Sequence, residues 1–254
     1  MAILWFGSIG SIVSAEDWKE LKGDHFIIFH QGEDRLASEV LEKSEVYYTQ
    51  ISDDLGYERY SNFWLWEHRV KIYIYPTQEA FLSGTGRQNW SHGMADYTKK
   101  EIRTYASKEG FQESILPHEI AHLTFRDFVG FKGEVPGWLD EGVAQWTEPA
   151  KRAIVRKTMR SYLVSDKGYS IKDLTEIDIR PVPLTQAVQL YYVQAMSLVD
   201  FLITEHGRDD FINFCRQLRD GKNMDEALKF TYPTVMRSLN ELEEQWRKYI
   251  LEAT

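Results

Sequence analysis

ILPHEIAHLTF, residues 115–125, sets two histidines four apart with a glutamate directly after the first. On an α-helix residues i and i+4 lie one above the other, so His118 and His122 would present their imidazoles to a common point. Glu119 is rotated by about 100° from His118, close enough to the open side of a bound ion to reach its water without being a ligand. This is the H-E-x-x-H arrangement, in which two nitrogens hold zinc and the glutamate serves as general base. The helix carrying it is expected to start near Ser114, to tolerate Pro117 because the missing N–H belongs to the first turn, and to end at Gly130.

A hydrolytic zinc site needs three protein ligands and one open position. Working downstream, a second helix is expected after Pro136, carrying GWLDEGVAQW, and it supplies Glu141 with 18 residues between it and His122. Here the sequence resembles the gluzincin metallopeptidases, whose signature is H-E-x-x-H followed by a glutamate on the next helix. WLDEGVA is similar to the W-L-N-E-G-x-A of their aminopeptidase branch, with Asp140 where asparagine is usual. The resemblance extends over about 70–250 as a peptidase-MA-like domain and is strongest over 118–146.

That resemblance implies a zincin-like fold and a peptide or protein substrate. It implies zinc held by His118, His122 and Glu141, with Glu119 as the base. A tyrosine on a later helix would donate to the developing oxyanion; Tyr192 is the candidate and Tyr191 the alternative. Substrate would lie as an added strand along the sheet edge, which makes Ala95 and Tyr105 of the preceding hairpin its expected neighbours. The carboxylate that reads a free amino terminus has no good counterpart, since Gly93-Met94-Ala95-Asp96 matches the aminopeptidase segment poorly. Asp140 and Gln145 could orient ligands from behind, although Gln145 reads better as a solvent-facing side chain, and His92 reads as structural or substrate-facing. By ligand type alone, two imidazoles and one carboxylate would also accept cobalt or another divalent ion.

Further outward, HFIIFH (25–30) and VKIYIYP (70–76) are β-branched and aromatic runs of strand length. Between them, residues 34–56 carry helical spacing and stop at Gly56. HGMADY (92–97) and IRTYAS (102–107), separated by TKKE, read as a β-hairpin. From about 113 the helical period dominates, broken by an irregular stretch at 165–183. LTQAVQLYYVQAMSLVDFLITEHG is apolar on nearly all faces and reads as a buried helix ending at Gly207. The last helix has a capping-box pattern, Ser238 with Glu241, followed by Leu239, Leu242, Trp246 and Ile250 on one stripe.

The expected fold is therefore α+β: an N-terminal mixed sheet with a helix (16–112), active-site helices (113–150) and a C-terminal helical lobe (151–254). A net charge of −9 speaks against a nucleic-acid partner, which needs clustered Lys and Arg. RKTMR (156–160) reads as a solvated helix face. The first fifteen residues are uncharged and end Val13-Ser14-Ala15, a pattern partly like a secretory signal and too short to span a bilayer. The expectation is an exported protein, periplasmic or extracellular, with a cytoplasmic protein whose N-terminus is a buried strand or helix as the alternative. Cys215 falls at helical spacing with Phe211, Phe214 and Leu218 and reads as core. A single cysteine also argues against a structural zinc site, which is usually closed by four ligands rich in cysteine. A zincin-fold module that binds peptides without cleaving them is the competing function.

Overall fold

The computed structural model describes residues 18–56, 64–86, 93–106, 111–131, 135–179 and 185–252. The signal-like segment 1–15 and His92 lie outside the described residues. Among the described residues five strands form one mixed sheet: β1 (Lys19–Lys22), β2 (Phe26–His30), β3 (Val70–Tyr75), β4 (Gly93–Asp96) and β5 (Glu101–Tyr105), in the order β1-β2-β3-β5-β4. The central pairs β2–β3 and β3–β5 are parallel and the two outer pairs antiparallel. Alternation fixes the faces: Phe26, Ile28, Val70, Ile72, Ile74 and Ile102 are fully or almost fully buried. Against this face lies helix α1 (Asp34–Asp54), which buries Ala37, Val40, Ser44, Tyr48 and Ile51. The opposite face is aromatic. Phe29 stacks on Tyr73 with ring centroids 4.8 Å apart, and Phe81 of α2 (Gln78–Thr85) packs on Tyr75 and Tyr105.

The expected hairpin is β4–β5. Its turn is held by the Asp96 carboxylate, which accepts the N–H groups of Thr98 at 3.1 Å and Lys99 at 3.0 Å. Strand β1 was not legible as a strand, because KELK is polar and mostly exposed, as an edge strand can be.

One π-helical turn (Phe111–Ile115) leads into α3 (Leu116–Val129), which carries HEIAH. Pro117 sits in the first turn of α3, and Gly130 ends it with φ of 82°, the left-handed conformation that glycine adopts without strain. Helix α4 (Gly137–Trp146) follows Pro136 as expected, and α5 is Pro149–Val164. The stretch expected to be irregular contains a short helix, α6 (Ile171–Glu176), whose first turn is capped by the Ser170 hydroxyl accepting from the Asp173 N–H. The buried helix is α7 (Gln186–His206), ending at Gly207; it is long and apolar enough to cross a membrane, but it is mostly buried inside this protein. Helices α8 (Arg208–Arg219), α9 (Met224–Thr231) and α10 (Leu239–Leu251) complete the chain.

The capping box stands one helix earlier than expected. Asn223 and Glu226 form the reciprocal pair at α9, whereas at α10 Ser238 caps the Glu241 N–H and the Glu241 carboxylate takes the N–H of Arg237 instead. Arg156, read as part of a solvated face, docks through two N–H groups on the Tyr249 carbonyl. Cys215 is fully buried, in keeping with its reading as core.

Candidate metal centre

Two packing contacts bring the candidate ligands together. Helix α3 lies on α1 and the sheet, burying Leu116, Ile120, Ala121 and Phe125 and turning His118 and His122 away from that core. Helix α4 crosses α7 at Gly142, so closely that a Cβ there would stand 2.6 Å from the Ala195 carbonyl oxygen. That close crossing sets Glu141, the neighbouring residue, opposite the two imidazoles. His118 Nε2 and His122 Nε2 are 3.1 Å apart, and the Glu141 Oε2 atom lies 3.5 Å from the first and 3.7 Å from the second. Atoms bound tetrahedrally to zinc at roughly 2.0–2.1 Å stand about 3.3 Å from one another, so the triangle has the size of a zinc ligand set. Glu141 Oε2 is buried and makes no hydrogen bond among the described residues, its near neighbours being the two imidazoles, so a cation there would satisfy it. Among the described residues, His118, His122 and Glu141 are the histidine–carboxylate group able to hold a metal ion.

Behind each imidazole stands a carboxylate, and behind each carboxylate a cation. His118 Nδ1 is 3.5 Å from Glu148 Oε1, which pairs with Lys151 at 2.6 Å. His122 Nδ1 is 3.1 Å from Asp140 Oδ1, and Arg126 grips both Asp140 oxygens at 3.2 and 2.7 Å. A carboxylate behind Nδ1 favours the proton there and leaves the Nε2 lone pair for a metal. The electrostatics follow from four carboxylates around two rings. Burial opposes a charge on His118, but Glu141, Glu148 and Glu119 push its imidazole up to about 10. Burial also opposes the charge on Asp140; His122 and Arg126 outweigh it and hold the carboxyl at about 2. The site is built to receive positive charge.

The sequence profile of the Peptidase MA superfamily matches residues 65–252, most of the chain. The chain belongs to the Peptidase MA superfamily. Among solved structures, a mutant form of the M1 zinc metallopeptidase from Deinococcus radiodurans is similar, with a TM-score of 0.45 and 15% identity over 93% of this chain and 51% of that one. This chain thus spans about half the length of that protein. No curated protein sequence matches it.

Around the candidate-ligand triangle of this Peptidase MA domain, the remaining expected residues fall into two groups. Glu119 is half-buried on α3 directly after His118, and its charge helps hold the protons on His118, Tyr192 and Tyr97. Tyr192 is half-buried, and its hydroxyl stays protonated because burial, Glu141 and Glu119 all disfavour the phenolate. Its neighbour Tyr191 is 1% exposed, its buried hydroxyl pressed toward Gly137 and without a hydrogen bond among the described residues. Ala95 is on the sheet face that α3 covers, since Gly93, two residues earlier, packs against Ile115 at the entrance to α3. Tyr105 is not brought to this site: strand alternation turns it to the opposite face, where its ring lies 5.6 Å from that of Phe81. Gln145 is half-buried on α4.

Three site residues were missed by sequence reading: Glu148, Arg126 and Tyr97. Tyr97 follows β4 directly, stands edge-on to His122 at 5.9 Å between rings and covers the Arg126 guanidinium at 4.0 Å. Arg126 alone carried a signal, since it lies one helical turn after His122 and so on the same face.

Proposed function

We propose that this protein is a zinc-dependent peptidase that hydrolyses peptide bonds of peptide or protein substrates. The observation that carries the reading is the convergence of three metal-type donor atoms, one of them a buried carboxylate oxygen with no hydrogen bond among the described residues, next to Glu119, half-buried on the helix of the two histidines. His118, His122 and Glu141 would hold the ion. When bound, zinc supplies a Lewis acid and lowers the pKa of its water from 15.7 to about 7.

The chain's own residues perform the rest. Glu119 takes the proton of the attacking water and delivers it to the departing amine. Tyr192 stays protonated and donates a hydrogen bond to the carbonyl oxygen as negative charge develops there. Glu148 and Asp140 hold the two imidazoles in the tautomer that leaves Nε2 free. The edge strand β4, with Ala95 facing α3, offers its backbone to an extended substrate.

The test is Glu119→Gln with zinc content measured alongside. Zinc should be retained at parent level while kcat for peptide hydrolysis falls about 10²–10⁴-fold. A zinc-loaded variant as active as the parent would overturn the mechanism. A zinc-loaded parent that cleaves nothing in a diverse peptide library would favour a peptide-binding module instead.

A further inference from the structure

We propose that Arg126, pressed against Tyr97, is a positioning residue that fixes His122 for metal binding by clamping Asp140. The inference rests on the zinc reading above and goes beyond it.

The four side chains come from three parts of the chain and close on one another. His122 and Arg126 lie one turn apart on α3, Asp140 is on α4, and Tyr97 is in the turn after β4. Arg126 donates from Nε to one Asp140 oxygen at 3.2 Å and from Nη2 to the other at 2.7 Å, the two-pronged fit of a guanidinium to a carboxylate. The Asp140 side chain is 8% exposed and Arg126 23% exposed, so solvent screens the pair only in part. The Asp140 oxygen that receives the Nε donor also lies 3.1 Å from His122 Nδ1, within ion-pair distance though not in hydrogen-bond geometry. Arg126 thus blocks rotation of Asp140 at both oxygens, and the His122 ring rests against a carboxylate that cannot turn. The Tyr97 ring closes the outer side, with the guanidinium carbon 4.0 Å from its centroid.

Charge explains why the clamp is an arginine. A buried carboxylate with no counter-charge is strongly destabilising, and unclamped it would turn toward whichever cation lies nearest, a bound metal included. Lysine would neutralise the charge but could not hold both oxygens in one plane. An asparagine at 140 would accept the same Nδ1 proton without a charge, and so would not need the clamp.

Coupling between the two positions therefore tests the proposal. Zinc is titrated into metal-free parent, Arg126→Gln, Asp140→Asn and the double variant, with folding followed by circular dichroism. Arg126→Gln should bind zinc about 10–100-fold more weakly than the parent. In the Asp140→Asn background the same change should have almost no effect. An unchanged zinc affinity in Arg126→Gln, or an equal loss in both backgrounds, overturns the clamp. If Arg126→Gln fails to fold, the exposed Tyr97 decides: Tyr97→Leu should weaken zinc binding about tenfold, and Tyr97→Phe, which keeps the ring, should bind as the parent does. Equal affinities in parent, Tyr97→Leu and Tyr97→Phe overturn it. A parent that binds no zinc defeats the zinc reading itself, whereas a zinc-binding parent indifferent to these changes defeats only the clamp.

Discussion

Adjacent tyrosines on α7 stand in different surroundings. Tyr192 is half-open and shares its surroundings with Glu119 and Glu141, whereas the Tyr191 hydroxyl is buried with no partner. Tyr192→Phe should lower kcat about 10²–10³-fold with the fold unchanged, the loss expected for one oxyanion donor. Tyr191→Phe removes a buried hydroxyl that makes no hydrogen bond among the described residues, so the urea midpoint should hold or rise and kcat should stay near the parent value. Steady-state kinetics and urea unfolding on the two variants separate the roles, and a larger kcat loss in Tyr191→Phe would reverse the assignment. Sequence spacing could not choose between neighbours on one helix, because their directions differ by about 100° and only the partner helix decides which one faces the site. The same reasoning explains the residues that were not legible. His118, Glu119 and His122 announce themselves by spacing within one helix, but Glu148 belongs with His118 only because the start of α5 returns to α3. Tyr97 belongs with His122 only because a hairpin turn stops beside α3.

At the scale of elements, the decisive contact is the crossing of α4 over α7. Glycine at 142 is required there by proximity, since an added Cβ would meet the Ala195 carbonyl oxygen at 2.6 Å and Val199 Cγ2 at 2.8 Å. Replacement by alanine would gain roughly 1 kcal/mol of helix propensity. The obstructing atom is backbone and cannot rotate away, so the overpacking cost, typically about 1–3 kcal/mol, should win. Gly142→Ala should therefore lower the urea midpoint and, because Glu141 is the preceding residue, lower zinc content as well. A variant as stable and as rich in zinc as the parent would show that the helices can part without consequence. The helices themselves were readable: α4 begins after Pro136, and α7 ends at Gly207. Their crossing was not, because a glycine inside a helix looks the same whether it faces water or another backbone. Strand β1 and helix α6 were missed for a related reason, being short segments that tertiary packing stabilises more than local pattern.

Across the whole molecule, the candidate ligands join two differently anchored parts. Helix α3 is fixed to α1 and the sheet, while α4 is fixed to α7 and α10 through Asp200, which accepts the Trp146 indole N–H and the Tyr249 hydroxyl, each at 3.0 Å. An ion bound to His118, His122 and Glu141 would reinforce the packing and the Arg126–Asp140 pair that already join α3 to α4, adding about 4 kcal/mol when free zinc exceeds its dissociation constant by about 1,000-fold. Chelation should therefore lower the thermal midpoint of the entire chain rather than loosen one segment. The metal-free protein should also carry a distinctive pH dependence. Its His118 imidazole is raised from the ordinary 6.5 to about 10, so protonation favours the folded state. That contribution is fully present below pH 6.5 and disappears as pH rises through about 10. Unfolding midpoints of chelated protein should accordingly fall across this window, and the slope should be smaller in His118→Gln. In zinc-loaded protein the imidazole holds the ion instead of the proton, and the alkaline decline should be absent. Equal slopes with and without zinc would mean that His118 does not exchange a proton for the metal.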